Sequence, residues 1–233
     1  MFFHFLDGEI LLINKPYKWT SFDVVAKIRT MLKYRVGIKK VKIGHSGTLD
    51  PLATGLLVLC TGKYTKRIEE FQNQDKVYTG TFHIGATTAS FDLETKINKR
   101  FDISELTPEA IIEASKTFIG EQEQIPPMFS AVKVDGQRAY EIARKGHEVE
   151  LVARQINIKR FEIKAIKLPY VDFEVECTKG TYIRSLARDL GLALDSGAHL
   201  TSLCRTSIGE FTLADAVTLE QFEALVIHDF QQK

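Results

Sequence analysis

Residues 44–57 carry the stretch GHSGTLDPLATGLL, in which glycine occupies positions 44, 47 and 55 and Asp50 is the one acidic residue. The apolar run LLVLC, residues 56–60, overlaps its end. Glycine allows a ligand to approach the backbone closely, and a short apolar run is typical of a buried strand. The stretch therefore predicts a shaped loop followed by a buried strand. Asp50 either supplies a carboxylate for chemistry or caps a turn before Pro51, and composition alone leaves both interpretations open.

Alternation of apolar and polar residues predicts further strands on either side of this stretch. Residues 170–177 have apolar side chains at every second position, the pattern of a half-buried strand. Residues 9–13, 56–59, 77–84 and 155–167 are the other predicted strands. In the last of these the apolar phase slips between Ile158 and Phe161, which indicates a β-bulge.

Helices are predicted from capping residues and from apolar residues spaced three and four apart. Thr20 and Ser21 cap a first helix, Thr107 with Pro108 begins a second, a third covers about 181–194 and a fourth 218–226. The residues expected to be buried are Val24, Val25, Ile28, Met31 and Leu32 in the first helix, Ile111, Ile112, Ser115 and Phe118 in the second, and Ile183, Leu186, Ala187 and Leu190 in the third. Because strands and helices do not alternate regularly, we expect an α+β fold with a mixed, largely antiparallel sheet flanked by helices.

Charge is unevenly distributed along the chain, although the net charge is only +1. Residues 11–45 contain nine lysines and arginines and a single acid, Asp23, whereas residues 85–125 contain eight acids and four bases. Segregation of this kind is typical of a protein with a face for a polyanion such as nucleic acid. The alternative interpretation is a lysine-rich surface that contacts solvent alone.

Composition excludes several classes of protein. The 233 residues are 44% hydrophobic and 26% charged, as in a globular protein. The three cysteines are far apart and the six histidines lack short metal-ligand spacings, so neither disulfides nor a metal site is predicted. No secretion signal or membrane span is predicted, and we expect a cytoplasmic protein. Thr48 replaces the last glycine of a G-x-S-x-G elbow, which argues against Ser46 as a hydrolase nucleophile.

The stretch GHSGTLDPLATGLL resembles the signature of the TruB-type tRNA pseudouridine synthases, which isomerise uridine 55 in the T-loop of tRNA. Further segments support the resemblance, among them IPPMFSAVKVDGQRAYEIARKG (125–146) and CTKGTYIRSLARDLG (177–191), with residues 11–21, 75–85 and 197–211. Together they span about residues 10–225. The resemblance implies a cofactor-free isomerase that binds the T-arm of tRNA and flips the target base into a pocket. We expect it to act as a monomer.

The resemblance places the catalytic aspartate of the family at Asp50, where it either attacks C1′ of the ribose or assists departure of the uracil. Arg184 corresponds to the arginine that pairs with this aspartate, and Tyr78 to the tyrosine that stacks on the uracil and is a candidate to take the C5 proton. Without the resemblance, Arg184 reads as a surface neighbour of Arg188 and Tyr78 as a core aromatic. Gly80, on the same strand face as Tyr78, is expected to leave room for the base beside the ring.

The same resemblance assigns substrate binding to six further positions, namely His45, Tyr182, Leu203, Lys15, Gly44 and Asp92. His45 matches the histidine that fills the space left in the T-loop by the flipped nucleotide, and Tyr182 and Leu203 match residues of the pocket wall. Flipping a base costs a few kcal/mol and each aromatic stack returns about 1–3 kcal/mol. Two stacks together with attraction to phosphate therefore make flipping feasible.

Three positions depart from the family pattern. Ser46 stands where threonine is more frequent, and it keeps the hydroxyl. Lys18 and Thr95 each stand where glycine is usual. The geometry of these two turns is therefore open at this point, whereas the positions that match the catalytic residues are unaffected.

Two interpretations of function compete. Residues 1–233 are expected to form a single catalytic domain without a full C-terminal RNA-binding domain, because only 29 residues follow Cys204. The rival is a non-catalytic tRNA-binding protein that helps tRNA to fold. Asp50, Tyr78 and Arg184 together favour the enzyme, because a protein that only binds RNA gains nothing from a carboxylate that repels phosphates.

Overall fold

The computed structural model describes residues 3–130, 132–134, 136–147 and 149–231. They form two compact units, the first from residues 3–78 and 204–231 and the second from residues 79–203. The helices are α1 (Ser21–Arg35), α2 (Ile68–Gln72), α3 (Pro108–Lys116), α4 (Ala139–Arg144), α5 (Ile183–Ala193) and α6 (Leu219–Gln231). The strands are β1 (Ile10–Lys15), β2 (Ile43–His45), β3 (Thr54–Thr61), β4 (Lys76–Ile84), β5 (Ala86–Thr88), β6 (Ile97–Arg100), β7 (Gly120–Gln124), β8 (Lys133–Val134), β9 (Gln137–Arg138), β10 (Arg154–Lys167), β11 (Tyr170–Cys177), β12 (Ala198–Ile208) and β13 (Phe211–Thr212).

The first unit is built around β3, which is the predicted buried strand. β1 and β2 both pair with β3 in antiparallel fashion. β12 pairs with the first residues of β3 in parallel, with Arg205 opposite Gly55, and β13 returns antiparallel to β12. Parallel and antiparallel pairs therefore occur together, as the sequence predicts.

Both faces of β3 are buried, which explains why its sequence is apolar at successive positions. Leu57 and Leu59 belong to a core cluster that also contains apolar residues of α1 and α6. Leu56, Val58 and Cys60 belong to a second cluster, which is completed by Phe71 and Ile208. A strand with two covered faces has no alternation of apolar and polar residues.

Helix α1 begins and packs as its sequence predicts. Thr20 Oγ1 accepts a hydrogen bond from Asp23 N at 3.0 Å, and the Asp23 carboxylate accepts one from Thr20 N at 2.8 Å. This reciprocal pair is a capping box, which satisfies backbone N–H groups at the start of the helix. All five residues of the predicted apolar stripe are buried. The polar face carries the exposed basic residues Lys27, Arg29, Lys33 and Arg35.

The second unit has an antiparallel sheet of β7, β10 and β11, with β4 beside β11. The pairing of β10 with β11 shifts register between Ile158 and Arg160, which confirms the predicted bulge. Inside the unit, the rings of Phe82 and Phe173 stack with centroids 4.0 Å apart, and Phe161 meets both edge to face. Helices α3, α4 and α5 and the two-stranded pairs β5–β6 and β8–β9 also belong to this unit.

The predicted α+β class is confirmed, and the predicted strand 170–177 is β11 with the same bounds. The predicted helix 218–226 is α6, which extends to Gln231. Burial of Ile112 was predicted wrongly: this residue is 39% exposed, because α3 turns Ile111 and Ser115 inward instead. Within the described ranges, no helix is both long and apolar enough to cross a membrane.

Candidate active site

The Asp50 loop, which we define as residues 46–53, connects β2 to β3. Leu49 N donates to Ser21 Oγ at 2.9 Å, so the first residue of α1 fixes the middle of the loop. The carbonyl oxygen of Asp50 accepts from Ala53 N at 3.1 Å and closes a turn over Pro51. This confirms the predicted shaped loop. Because the backbone of Asp50 closes the turn, the turn does not require the half-buried carboxylate.

Lys15, at the end of β1, is completely buried. Its Nζ donates to the carbonyl oxygens of Pro16 (3.1 Å), Trp19 (2.6 Å) and Pro51 (3.3 Å). Burial lowers the pKa of Lys15 to about 8, an effect that the charge of Asp50 opposes and that of Arg205 reinforces. Lys15 therefore links the chain segment before α1 to the Asp50 loop through hydrogen bonds. Its assignment to substrate binding stays a prediction.

Lys18 shows how the chain accommodates the first of its two unusual turns. Its φ is 66°, in the left-handed region that glycine favours, and its backbone N donates to Pro51 O at 2.8 Å. For a residue with a Cβ this conformation costs about 1–2 kcal/mol. The turn thus has the glycine-like backbone conformation although lysine occupies the position.

His45 and its neighbours lead into the Asp50 loop. His45 is half-buried, its Nδ1 accepts from Gly47 N at 3.3 Å, and burial together with the charge of Arg205 lowers its pKa. A Cβ on Gly44 would lie 2.5 Å from Cδ1 of Ile68, which is the far end of a flexible side chain. Ser46 is completely buried, which gives no support to a hydrolase nucleophile there.

Tyr78 lies on β4 and is 8% exposed. The expectation that Gly80 leaves room for a base is wrong. A Cβ on Gly80 would lie 2.5 Å from Ser202 O and 2.9 Å from Phe173 Cζ, so protein atoms already fill that space. Close approach of a strand and a ring therefore explains the glycine.

Arg205, on β12, is a buried residue at the Asp50 loop that sequence reasoning missed. It is 1% exposed, and it donates from Nε to Leu56 O at 2.9 Å and from Nη2 to Gly47 O at 3.1 Å. The segment 197–211 contains it, but a charged residue on a strand ordinarily indicates a solvent-facing position. The only signal in the sequence is that Arg205 lies within segment 197–211, which resembles the family.

Arg184, near the start of α5, is buried at 4% exposure, so its interpretation as a surface neighbour of Arg188 is wrong. Its Nη1 donates to Phe129 O at 2.9 Å and to Ser90 O at 3.3 Å, and its Nε lies 3.8 Å from Asp92 Oδ2. The loops that carry Ser90 and Phe129 pack over this side of α5. The periodicity of the helix alone cannot predict that these loops bury Arg184. The pairing of Arg184 with Asp50 stays a prediction.

Hydroxyl groups organise the loop of residues 88–95 that carries Asp92. Thr95 Oγ1 accepts from Ser90 N at 3.0 Å, and Ser90 Oγ accepts from Thr95 N at 3.1 Å. Thr95 is the second position at which this chain lacks the glycine that is usual in the family. Its side chain closes the loop. Asp92 Oδ1 accepts from Glu94 N at 2.9 Å, and Asp92 is buried.

Tyr182 precedes α5 and is half-buried. Its backbone N donates to Gln124 Oε1 at 2.8 Å, and Gln124 Nε2 donates to Tyr182 O at 3.2 Å. This reciprocal amide pair fixes the backbone of Tyr182, and nothing in the sequence indicated Gln124. Leu203, on β12, is half-buried.

The predicted site residues divide between the two units. Lys15, Gly44, His45, Asp50 and Tyr78 belong to the first unit, and Asp92, Tyr182, Arg184 and Leu203 belong to the second. In the first unit the half-buried carboxylate of Asp50 lies on a fixed loop. It interacts electrostatically with the buried ammonium of Lys15. Such a carboxylate is suited to act as a base or a nucleophile. Across the described residues, no group of three or more His, Cys, Asp and Glu is placed to hold a metal.

Comparison with family models and with curated proteins gives consistent results. A model of the TruB family pseudouridylate synthase N-terminal domain matches residues 33–183, and one of the tRNA pseudouridylate synthase B C-terminal domain matches residues 184–232. The tRNA pseudouridine synthase B of Phocaeicola vulgatus is 54% identical over 94% of this chain and 93% of its own length. That of Chlorobaculum tepidum is 51% identical over 92% and 89%.

Solved structures with the same fold include larger proteins. The crystal structure of a Cbf5-Nop10-Gar1 complex matches with a TM-score of 0.72 and 30% identity, over 95% of this chain and 55% of that one. An H/ACA RNP bound to a substrate RNA containing 2′-deoxyuridine matches with a TM-score of 0.68 and 27% identity, over 94% and 53%. This chain therefore spans about half the length of those solved chains.

Proposed function

Because the chain belongs to the TruB family of pseudouridylate synthases, we propose that it isomerises uridine 55 in the T-loop of tRNA with Asp50 as the catalytic carboxylate. As a tRNA pseudouridine synthase the protein is an isomerase. The observation that carries the proposal is the placement of Asp50. It is the only acid between Asp23 and Glu69, and the loop around it is fixed by Ser21 and Lys15.

The reaction breaks the N1–C1′ bond of uridine and forms a C5–C1′ bond after the uracil has turned. The C5 proton is lost and N1 gains a proton, so the product has the composition of the substrate. An ionised Asp50 serves either by attack on C1′ or by deprotonation of the sugar to assist departure of the uracil. Both routes require the carboxylate at a fixed place beside the ribose.

Arg184 is the proposed partner of Asp50. A planar guanidinium favours the ionised carboxylate and fixes its orientation. The bonds from Nη1 to Phe129 O and Ser90 O support this role, because they fix the guanidinium before substrate arrives. Tyr78 is proposed to stack on the uracil and to take the C5 proton.

Substrate recognition is proposed to depend on the T-arm, which binds the basic residues of segment 15–42 and the segment 125–146. His45, whose lowered pKa keeps the imidazole neutral at pH 7, would occupy the space of the flipped nucleotide. Tyr182 and Leu203 would line the pocket. Lys15, Gly44 and Asp92 are proposed to complete the substrate-binding site, and the bonds of Lys15 and Asp92 fix the loops beside it.

The experiment is to incubate the protein with an unmodified tRNA transcript and to map pseudouridine by a carbodiimide adduct that stops reverse transcription. We expect a stop at position 55, and none in a control transcript with cytidine there. A product at another position would contradict the T-loop assignment. Binding of tRNA without any product would favour the rival, a non-catalytic tRNA-binding protein that helps tRNA to fold.

A further inference from the structure

Arg205 is a buried cation of the first unit that the proposed chemistry does not use. A buried charge is costly unless its donors find acceptors. Its Nε donates to Leu56 O at 2.9 Å and its Nη2 donates to Gly47 O at 3.1 Å. With 1% of its surface exposed, Arg205 has almost no area to offer a substrate.

The two acceptors lie on either side of Asp50 along the chain. Gly47 is near the start of the Asp50 loop, and Leu56 follows its end on β3. The donors of a guanidinium have fixed relative directions, because the group is planar. One rigid side chain therefore sets the separation of the two chain segments between which Asp50 lies.

The backbone of Arg205 constrains the same span. Arg205 pairs with Gly55 in the parallel ladder of β12 and β3. Gly55 has a φ of 103°, and a Cβ there would lie 2.3 Å from Arg205 O, so only glycine permits this approach. Both the side chain and the backbone of Arg205 thus fix the chain around Asp50.

We propose that Arg205 is a positioning residue, which sets the place of the Asp50 carboxylate without contacting the RNA. The inference rests on the proposed catalytic role of Asp50. The charge of Arg205 also acts on residues beside this loop, because it lowers the pKa of both His45 and Lys15.

The first test is Arg205→Lys, which keeps the charge but replaces the planar fork by a single ammonium. We expect kcat for pseudouridine formation to fall about a hundredfold, a loss that a displacement of about 1 Å at a reacting group can cause. The KM for tRNA should stay within about threefold, because the residue does not contact RNA. A kcat within about fivefold of wild type in a folded Arg205→Lys protein would overturn the proposal.

Lys76→Met is the control, because Lys76 is another buried cation of the first unit that also donates to backbone carbonyl groups. It is 6% exposed, and its Nζ donates to Gln72 O and Gln74 O, away from the Asp50 loop. We expect this variant to lose thermal stability but to keep kcat within about threefold. Equal losses of kcat in both variants at equal loss of stability would show that Arg205 is merely structural, and would overturn the proposal.

Amide hydrogen exchange separates local from global effects. In Arg205→Lys the amides of Leu49 and Ala53 should exchange at least about tenfold faster, while those of α1 stay as in wild type. Unchanged exchange at Leu49 and Ala53 would contradict the positioning role. The activity of Asp50→Asn shows whether the role of Arg205 or the proposed function is wrong. If Asp50→Asn is inactive and Arg205→Lys is as active as wild type, only the role of Arg205 is wrong.

A measurement on the wild-type protein avoids dependence on the folding of any variant. The Nε–H and Nη2–H protons of Arg205 should give separate nitrogen-resolved NMR signals with slow solvent exchange, because both are bonded and buried. Rapid rotation of the guanidinium, with averaged and fast-exchanging signals, would overturn the proposal.

Discussion

The ammonium Nζ of Lys15 lies 3.3 Å from the carbonyl oxygen of Pro51, the residue that follows Asp50. A buried cation thus bonds directly to the backbone beside the proposed catalytic carboxylate. Burial lowers the pKa of this lysine from 10.5 to about 8, although Asp50 raises it again in part. The Asp50 loop therefore depends on a group that loses its proton at moderately alkaline pH.

Lys15→Met should reveal this shift in the pH dependence of stability. Between pH 8 and pH 10.5 the unfolded chain binds the Lys15 proton and the folded protein does not, so the contribution of Lys15 to the free energy of unfolding rises with pH. The difference in unfolding free energy between wild type and variant should grow by up to about 3 kcal/mol over this window. Urea unfolding at several pH values measures it. A difference that stays constant with pH would contradict the lowered pKa.

Tyr78→Phe and Tyr78→Ala separate the hydroxyl from the ring. Phenylalanine keeps most of the stacking but cannot take a proton, so we expect Tyr78→Phe to bind tRNA with near wild-type affinity and to give no product. Tyr78→Ala should lose activity and also affinity, by about 1–3 kcal/mol for the lost stack. Single-turnover assays and filter binding measure both properties. Wild-type activity of Tyr78→Phe would assign the C5 proton to another group.

Arg184→Lys should be severely impaired, because a lysine ammonium cannot reproduce the planar guanidinium, whose Nη1 bonds to Phe129 O and Ser90 O while its Nε lies 3.8 Å from Asp92 Oδ2. We expect kcat/KM to fall at least about a hundredfold, which is about 2.7 kcal/mol. Arg160→Lys is the control, since Arg160 pairs with Glu162 and Glu174 at a partly exposed site. If the two variants were equally active, the proposed pairing with Asp50 would lose its basis.

An isolated T-arm hairpin should be modified nearly as well as whole tRNA. The proposed recognition involves the basic segment 15–42 and the segment 125–146, both of which are proposed to bind the T-arm. Affinity should fall at least about tenfold between 50 and 200 mM salt, because phosphate contacts release counterions. The measurement is kcat/KM for hairpin and full transcript at matched salt. A loss above about a hundredfold on the hairpin would show that contacts outside the T-arm are needed.

Much of the fold was predictable because buried positions in strands and helices produce a periodic pattern of apolar residues in the sequence. The strand of residues 170–177 has one covered face and alternates clearly. The bulge after Ile158 is visible as a slip of that alternation, and Thr20 and Asp23 have the residue types and spacing of a capping box.

The site was less predictable, because its polar residues depend on contacts that are distant in sequence. Arg184 reads as a surface residue until Phe129 and Ser90 are seen to cover it. Lys15 and Arg205 are charged residues on strands, and periodicity cannot show that each of them donates to a carbonyl group of the Asp50 loop. Asp50 itself was identified by its isolation among basic residues and by resemblance.

The most direct test of the account is the activity of Asp50→Asn on unmodified tRNA. This change preserves the shape of the side chain and leaves the Asp50 backbone turn to Ala53 intact. Asp7→Asn, at an exposed ion pair with Lys63, is the matched control and should be fully active. We predict that Asp50→Asn forms no pseudouridine at position 55 above the level without enzyme, while its affinity for tRNA is equal or slightly higher, because a negative charge has been removed from a basic surface. Measurable turnover by pure Asp50→Asn protein would contradict the account.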